Sequence, residues 1–130
     1  MTAVDTNIII RFLTEDDQKQ FIKAKQLFSK KKLFIPDTVL LESEWVLRFA
    51  YHLSPLEINN AFTALLGLPN VMADNPMQLI QTLKMHKDGF DFADALHLAK
   101  SQPHASNFLT FDKQFIKIAK DKGNYKVRKP

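Results

Sequence analysis

The chain has 130 residues and a mass of 15.0 kDa, a length that suits one domain. It contains no Cys, which excludes a disulfide framework, a thiolate zinc site and a cysteine nucleophile. Eighteen Lys and Arg against fourteen Asp and Glu give a formal net charge of +4, which permits a nucleic-acid partner without demonstrating one.

Thr2-Ala3-Val4 is predicted as a short strand ending at Asp5. The apolar run Ile8-Ile9-Ile10 is broken by Arg11, so it is too short to span a membrane, and it lacks the basic flank of a signal peptide. A cytoplasmic location without a membrane partner is therefore expected. Phe21, Ala24, Leu27 and Phe28 share one helical face and predict a helix from about Asp16, closed by Lys30-Lys31-Lys32. Leu33-Phe34-Ile35 reads as the second strand, stopped by Pro36. Asp37 is placed to cap a helix running to about Tyr51. Ser54-Pro55-Leu56-Glu57 is a capping box with Pro at the first helical position, opening a helix that ends at Gly67. After a brief strand at Val71-Met72, Asn75-Pro76-Met77-Gln78 opens the next helix, which stops near Gly89. Asp91 to Ala99 is helical, and Pro103 terminates it. Asn107 to Thr110 is a strand, Asp112 to Lys122 a helix, and Tyr125-Lys126-Val127 an edge strand.

Strands alternating with helices argue an α/β fold with a mainly parallel sheet. Such sheets bind ligands at the carboxyl ends of their strands. Asp5 and Asp112 lie there, each just after a strand. Glu42 sits one turn into its helix. Glu44, two residues on, points about 200° away and is expected on a solvated face. Asp91 and Asp94, three apart, share a helical face. Several carboxylates together suit a hard cation such as Mg²⁺, which prefers oxygen ligands and keeps several waters. Two such ions can activate a water and stabilise the leaving oxygen of a phosphodiester. Against this, Asp91 and Asp112 each precede a helix and also read as N-caps. Asp5, beside the Ile run, and Asp94, among Ala93, Ala95, Leu96 and Leu98, are harder to explain as solvated acids.

Val4-Asp5-Thr6-Asn7-Ile8-Ile9 resembles the opening motif of PIN-domain ribonucleases, specifically the VapC-like toxins of bacterial toxin–antitoxin pairs. Leu40-Leu41-Glu42-Ser43-Glu44-Trp45 resembles the helix bearing the second acid, and Asp91-Phe92-Ala93-Asp94-Ala95-Leu96 the third motif. Leu109-Thr110-Phe111-Asp112, with Phe115, resembles the fourth. The order is the family's, and the four motifs span residues 4 to 115. The resemblance implies a single PIN domain over 1–130, folded as a three-layer α/β/α sandwich around a central, mainly parallel sheet. It also implies a Mg²⁺- or Mn²⁺-dependent endoribonuclease. Asp5, Glu42, Asp94 and Asp112 would be its catalytic, metal-binding carboxylates, with Asp91 an extra acid. Thr6 and Asn7 would orient Asp5, and Thr110 would support the fourth acid. A water would attack RNA phosphate in line, leaving a 5′-phosphate and a 3′-hydroxyl. A cognate antitoxin and a homodimer follow from the same resemblance, with apolar surface around Phe21–Phe28 and Trp45–Phe49 for such contacts, although core burial is the simpler reading there.

Arg11 and Arg48, near the acidic motifs, are candidate contacts to RNA backbone or to an antitoxin carboxylate. His97 and the basic clusters at Lys30–Lys32 and Lys126–Lys129 read as packed or solvated residues. A phosphoacceptor receiver domain is disfavoured, because no acid lies between Glu57 and Asp74. A haloacid-dehalogenase-type phosphatase lacks its second Asp, since Asp5 is followed by Thr6-Asn7. A non-catalytic RNA- or protein-binding PIN-like module and a housekeeping PIN nuclease stand as the alternatives.

Overall fold

The computed structural model describes residues 1–123 and 125–130. The chain divides into two compact units, Met1–Pro76 and Met77–Pro130.

The first unit contains β1 (Thr2–Ala3), α1 (Thr6–Thr14), α2 (Gln18–Lys30), β2 (Leu33–Phe34), α3 (Asp37–Phe49), α4 (Pro55–Leu66) and β3 (Val71–Met72). The strands pair in the order β1-β2-β3, all parallel, with Thr2 opposite Leu33 and Leu33 opposite Val71. Parallel neighbours need a crossover, and each is supplied by a pair of helices. The interior is apolar: Ile9, Phe28, Leu33, Ile35, Leu40, Leu47, Ile58 and Phe62 are buried. Phe12 stacks on Phe28 with ring centroids 4.2 Å apart.

The Ile8-Ile9-Ile10 run, which periodicity left without an element, lies inside α1. β-Branched residues lower helix propensity by at most about 0.7 kcal/mol each. Burying Ile9 and Ile10 returns about 1.5–3 kcal/mol apiece, so packing wins. Asp5 caps the helix, and Glu15, in the left-handed region at φ 56°, ends it. In α3 the cap position belongs to Pro36, and Asp37 stands inside the first turn, where an anion suits the helix dipole. The expected capping box is present in α4: the Ser54 hydroxyl accepts from the Glu57 amide, and the Glu57 carboxylate accepts from the Ser54 amide.

Two expectations for α3 and its surroundings are corrected. Glu44 is not on a solvated face; it is 3% exposed, and Arg48, one turn on, grips it. Leu40, Ser43, Glu44 and Leu47 form the buried stripe of the helix, which carries Glu44 inward. Core burial holds for Ala24 and Phe28 but not for Trp45 and Phe49, which are exposed and pack on one another.

The second unit contains α5, which begins at the boundary (Pro76–Lys87), α6 (Phe92–Ser101), β4 (Phe108–Leu109), α7 (Lys113–Gly123) and β5 (Val127–Arg128). β4 and β5 pair in parallel, with Phe108 opposite Val127. Met85, Phe90, Ala95, Leu98, Ala99, Phe115 and Ala119 form its core, with Phe108, Ile118 and Tyr125 packed around them. The Gly89 turn sits at φ +110°, a conformation open to glycine, and an added Cβ would lie 3.2 Å from Ile118 Cδ1. The architecture is the α/β class read from the sequence, and every strand pair is parallel. Among the described residues no helix is long and apolar enough to cross a membrane.

Candidate acidic site

In the first unit, Asp5 follows β1 after Val4, whose amide extends the ladder to the Phe34 carbonyl at 3.1 Å. Its backbone is extended, and Oδ1 accepts the Thr6 amide at 2.7 Å. Thr6 is buried, and its hydroxyl turns the other way, donating to Glu42 Oε1 on α3. Thr6 thus ties the first two acidic motifs together: its amide holds Asp5 and its hydroxyl holds Glu42. Asn7 is exposed. Arg11 is held by Asp16 at 3.0 Å, Gln20 at 2.6 Å and the Tyr51 hydroxyl at 3.2 Å. Arg48 grips Glu44 with both ends of its fork, Nε 2.9 Å from Oε2 and Nη2 3.1 Å from Oε1. Its guanidinium also lies 4.6 Å from the Phe49 ring centre. Both arginines therefore carry internal anionic partners.

In the second unit, Asp91 caps α6, its Oδ1 accepting the Asp94 amide at 3.1 Å. Asp112 opens α7 in the same manner: Oδ1 accepts the Gln114 amide at 2.9 Å and the Phe115 amide at 3.1 Å. The Thr110 hydroxyl accepts the Asp112 amide at 3.1 Å and so fixes the turn that presents this acid. Asp94 is half-buried. Burial, and then the neighbouring Asp91 and Asp112 carboxylates, hold its carboxyl above the ordinary value, while His97 acts in the opposite direction.

Asp91, Asp94 and Asp112 line one cavity of about 770 Å³. Its remaining wall was not foreseen. Gln114, Lys117, Ile118, Asp121 and Lys122 reach it from α7, and Gly89 and Phe90 from the turn before α6. The α7 positions fall at the spacing of one helical face. That periodicity, counted onward from Asp112, was the available signal.

A capping role and a ligating role do not exclude one another. At Asp5 and Asp112 the cap bonds engage Oδ1. The helix N-terminus also favours the ionised carboxylate. The donor set fits a hard divalent cation in its chemistry, because every candidate ligand is a carboxylate oxygen. Asp94, desolvated between two like charges, is where a cation relieves the most. Among the described residues no group of three or more His, Asp or Glu stands ready as a metal cage. Mg²⁺ does not require one, since it usually takes one or two carboxylates and completes its shell with water and substrate phosphate.

None of the curated proteins compared matches the chain. Residues 2–121 match the PIN domain, a fold whose members are generally nucleases and typically use divalent metals. Since that match covers most of the chain and contains all four acidic motifs, the chain belongs to the PIN domain family.

Proposed function

We propose that the protein is a metal-dependent endoribonuclease of the VapC type, the toxin of a toxin–antitoxin pair, with Asp5, Glu42, Asp94 and Asp112 as its metal-binding carboxylates. The observation that carries this reading is the unbroken acidic set within a PIN domain. One domain formed by both units is part of the proposal, supported by a single family match that runs through them.

Mg²⁺ or Mn²⁺, when bound, supplies an acidified water and neutralises charge at the phosphate. The chain's own part is to hold its carboxylates still. Asp5 and Asp112 are fixed by backbone amides, and Glu42 by the Thr6 hydroxyl. Asp94 is held by its half-buried place on α6. Ligands restrained in this way lose little freedom when they engage a cation. Hydrolysis by water needs no covalent protein intermediate, in keeping with the absence of Cys. Cytoplasmic RNA, a cognate antitoxin and a homodimer complete the reading, all by resemblance to VapC-like proteins.

Wild type and Asp5→Asn expressed in parallel test it. The wild type is expected to arrest growth and cleave RNA, and purified protein should lose cleavage in EDTA and regain it with Mg²⁺ or Mn²⁺. Cleavage by Asp5→Asn equal to wild type would overturn the site. Metal-dependent cleavage without growth arrest would retain the nuclease and remove the toxin role.

A further inference from the structure

The charge of the chain is unevenly divided. The second unit holds ten Lys and Arg against five Asp and Glu, a formal +5, whereas the first holds eight against nine. Four of those five acids, Asp91, Asp94, Asp112 and Asp121, line the cavity. Outside it, this unit has ten cations and a single acid, Asp88. Lys117 and Lys122 belong to the cavity wall itself, and neither forms an ion pair with any described residue. An exposed aromatic stands beside this arrangement. Phe111 is 81% exposed and directly precedes Asp112 in the chain. Phe108, three residues earlier, packs into the core, so the exposure of Phe111 is not a property of the whole segment.

Free cations recognise a phosphate backbone, and an exposed ring recognises the face of an unpaired base. In a duplex those faces are stacked on one another, and only a single strand offers one. We propose that Phe111, Lys117 and Lys122 form the landing surface for a single-stranded stretch of RNA, with a base stacked on Phe111 and the adjoining phosphates led past the two lysines into the acidic cavity. This rests on the nuclease reading and adds to it the strandedness of the substrate and the residues that select it. Phe111 works by stacking and is insensitive to salt. The lysines work by charge and are screened.

The test is fluorescence binding of a single-stranded RNA octamer carrying 2-aminopurine, in EDTA, across a salt series. Phe111→Ala should weaken binding by about 5- to 150-fold, abolish the quenching due to stacking and leave the salt slope unchanged. Phe111→Trp should restore both. The Lys117→Ala/Lys122→Ala double variant should lower the salt slope by about 1.4 and keep the quenching at saturation. All three side chains are exposed, so the variants should fold as wild type. Wild-type binding and quenching by Phe111→Ala overturn the inference, as does equal affinity of the wild type for a duplex of the same sequence. A change of sedimentation with Phe111→Ala, without a change in RNA binding, also overturns it and assigns the ring to a contact between copies. RNA binding as described, from a protein that fails to cleave with Mg²⁺ or Mn²⁺, supports the landing surface and removes only the nuclease reading.

Discussion

Arg48→Ala is the substitution whose consequence the structure defines best. It leaves the Glu44 carboxylate, 3% exposed, without the fork that now holds both of its oxygens. Removing one member of a buried ion pair costs about 3–5 kcal/mol. The Arg48 side chain is itself 35% exposed, so solvent already screens part of the interaction, and about 2–3 kcal/mol is the appropriate range. With an unfolding entropy of about 0.27 kcal/mol/K for a chain this long, the melting temperature should fall by about 7–11 °C. The assay is urea and thermal unfolding followed by circular dichroism, alongside a Glu44→Met/Arg48→Met variant. The double variant replaces both charges with apolar volume and should lie within about 1 kcal/mol of wild type. A single variant that melts within about 2 °C of wild type would refute the reasoning. So would a double variant as unstable as the single one. Below the melting range, the same protein tests the expected RNA contact: a phosphate contact by Arg48 lowers the salt slope of single-strand binding by about 0.7, and an unchanged slope removes it.

Thr6→Val keeps the shape of a buried side chain and deletes the hydroxyl that donates to Glu42, so it should fold as wild type while metal-dependent cleavage falls about 10–100-fold; equal cleavage would remove Thr6 as a positioning residue. Gly89→Ala, at φ +110° and 3.2 Å from Ile118, should destabilise by about 1–3 kcal/mol in urea unfolding. Asp16 is held below its ordinary carboxyl value by the Tyr51 hydroxyl first, then by Thr14 and Arg11. Its contribution to stability is therefore present above the ordinary value and lost as pH falls through the lowered one. Asp16→Asn should be less stable than wild type at pH 7, and the two should converge at pH 2 in an acid-unfolding series.

Much of the architecture was legible because helix ends are written in local chemistry. Ser54-Pro55-Leu56-Glu57 opens α4 as read, Gly67 closes it, and Asn75-Pro76 opens α5. What failed to be legible depended on which helical face meets the core. Glu44 read as solvated because its charge was considered alone, yet it lies in the stripe Leu40–Ser43–Glu44–Leu47, and its partner Arg48 is one turn away. The helix α1 was missed because three isoleucines carry no polar alternation, and only burial decides between helix and strand for such a run. The acids of the candidate site were legible in type, spacing and order. The lysines sharing the cavity with three of them were not, because α7 shows that face only once Asp112 is known to begin it.

The capping geometry also decides how the acids must be tested. Asp5, Asp91 and Asp112 each accept a backbone amide at the start of a helix, so each contributes to folding whatever its chemical role. Alanine at such a position removes the charge and the cap together, and the lost cap alone costs about 1 kcal/mol. A drop in activity would then report helix fraying as readily as a lost ligand. Asparagine caps about as well as aspartate, because its side-chain oxygen accepts the same amide. What Asp→Asn removes is the negative charge, and with it the affinity of a hard cation for that position. Asp5→Asn and Asp112→Asn that unfold as wild type and do not cleave therefore isolate the carboxylate's chemical contribution. The corresponding alanine variants should be less stable by about 1 kcal/mol without being any less active than the asparagines. If instead the asparagine variants cleave and only the alanines fail, the acids of these helices are caps and nothing more.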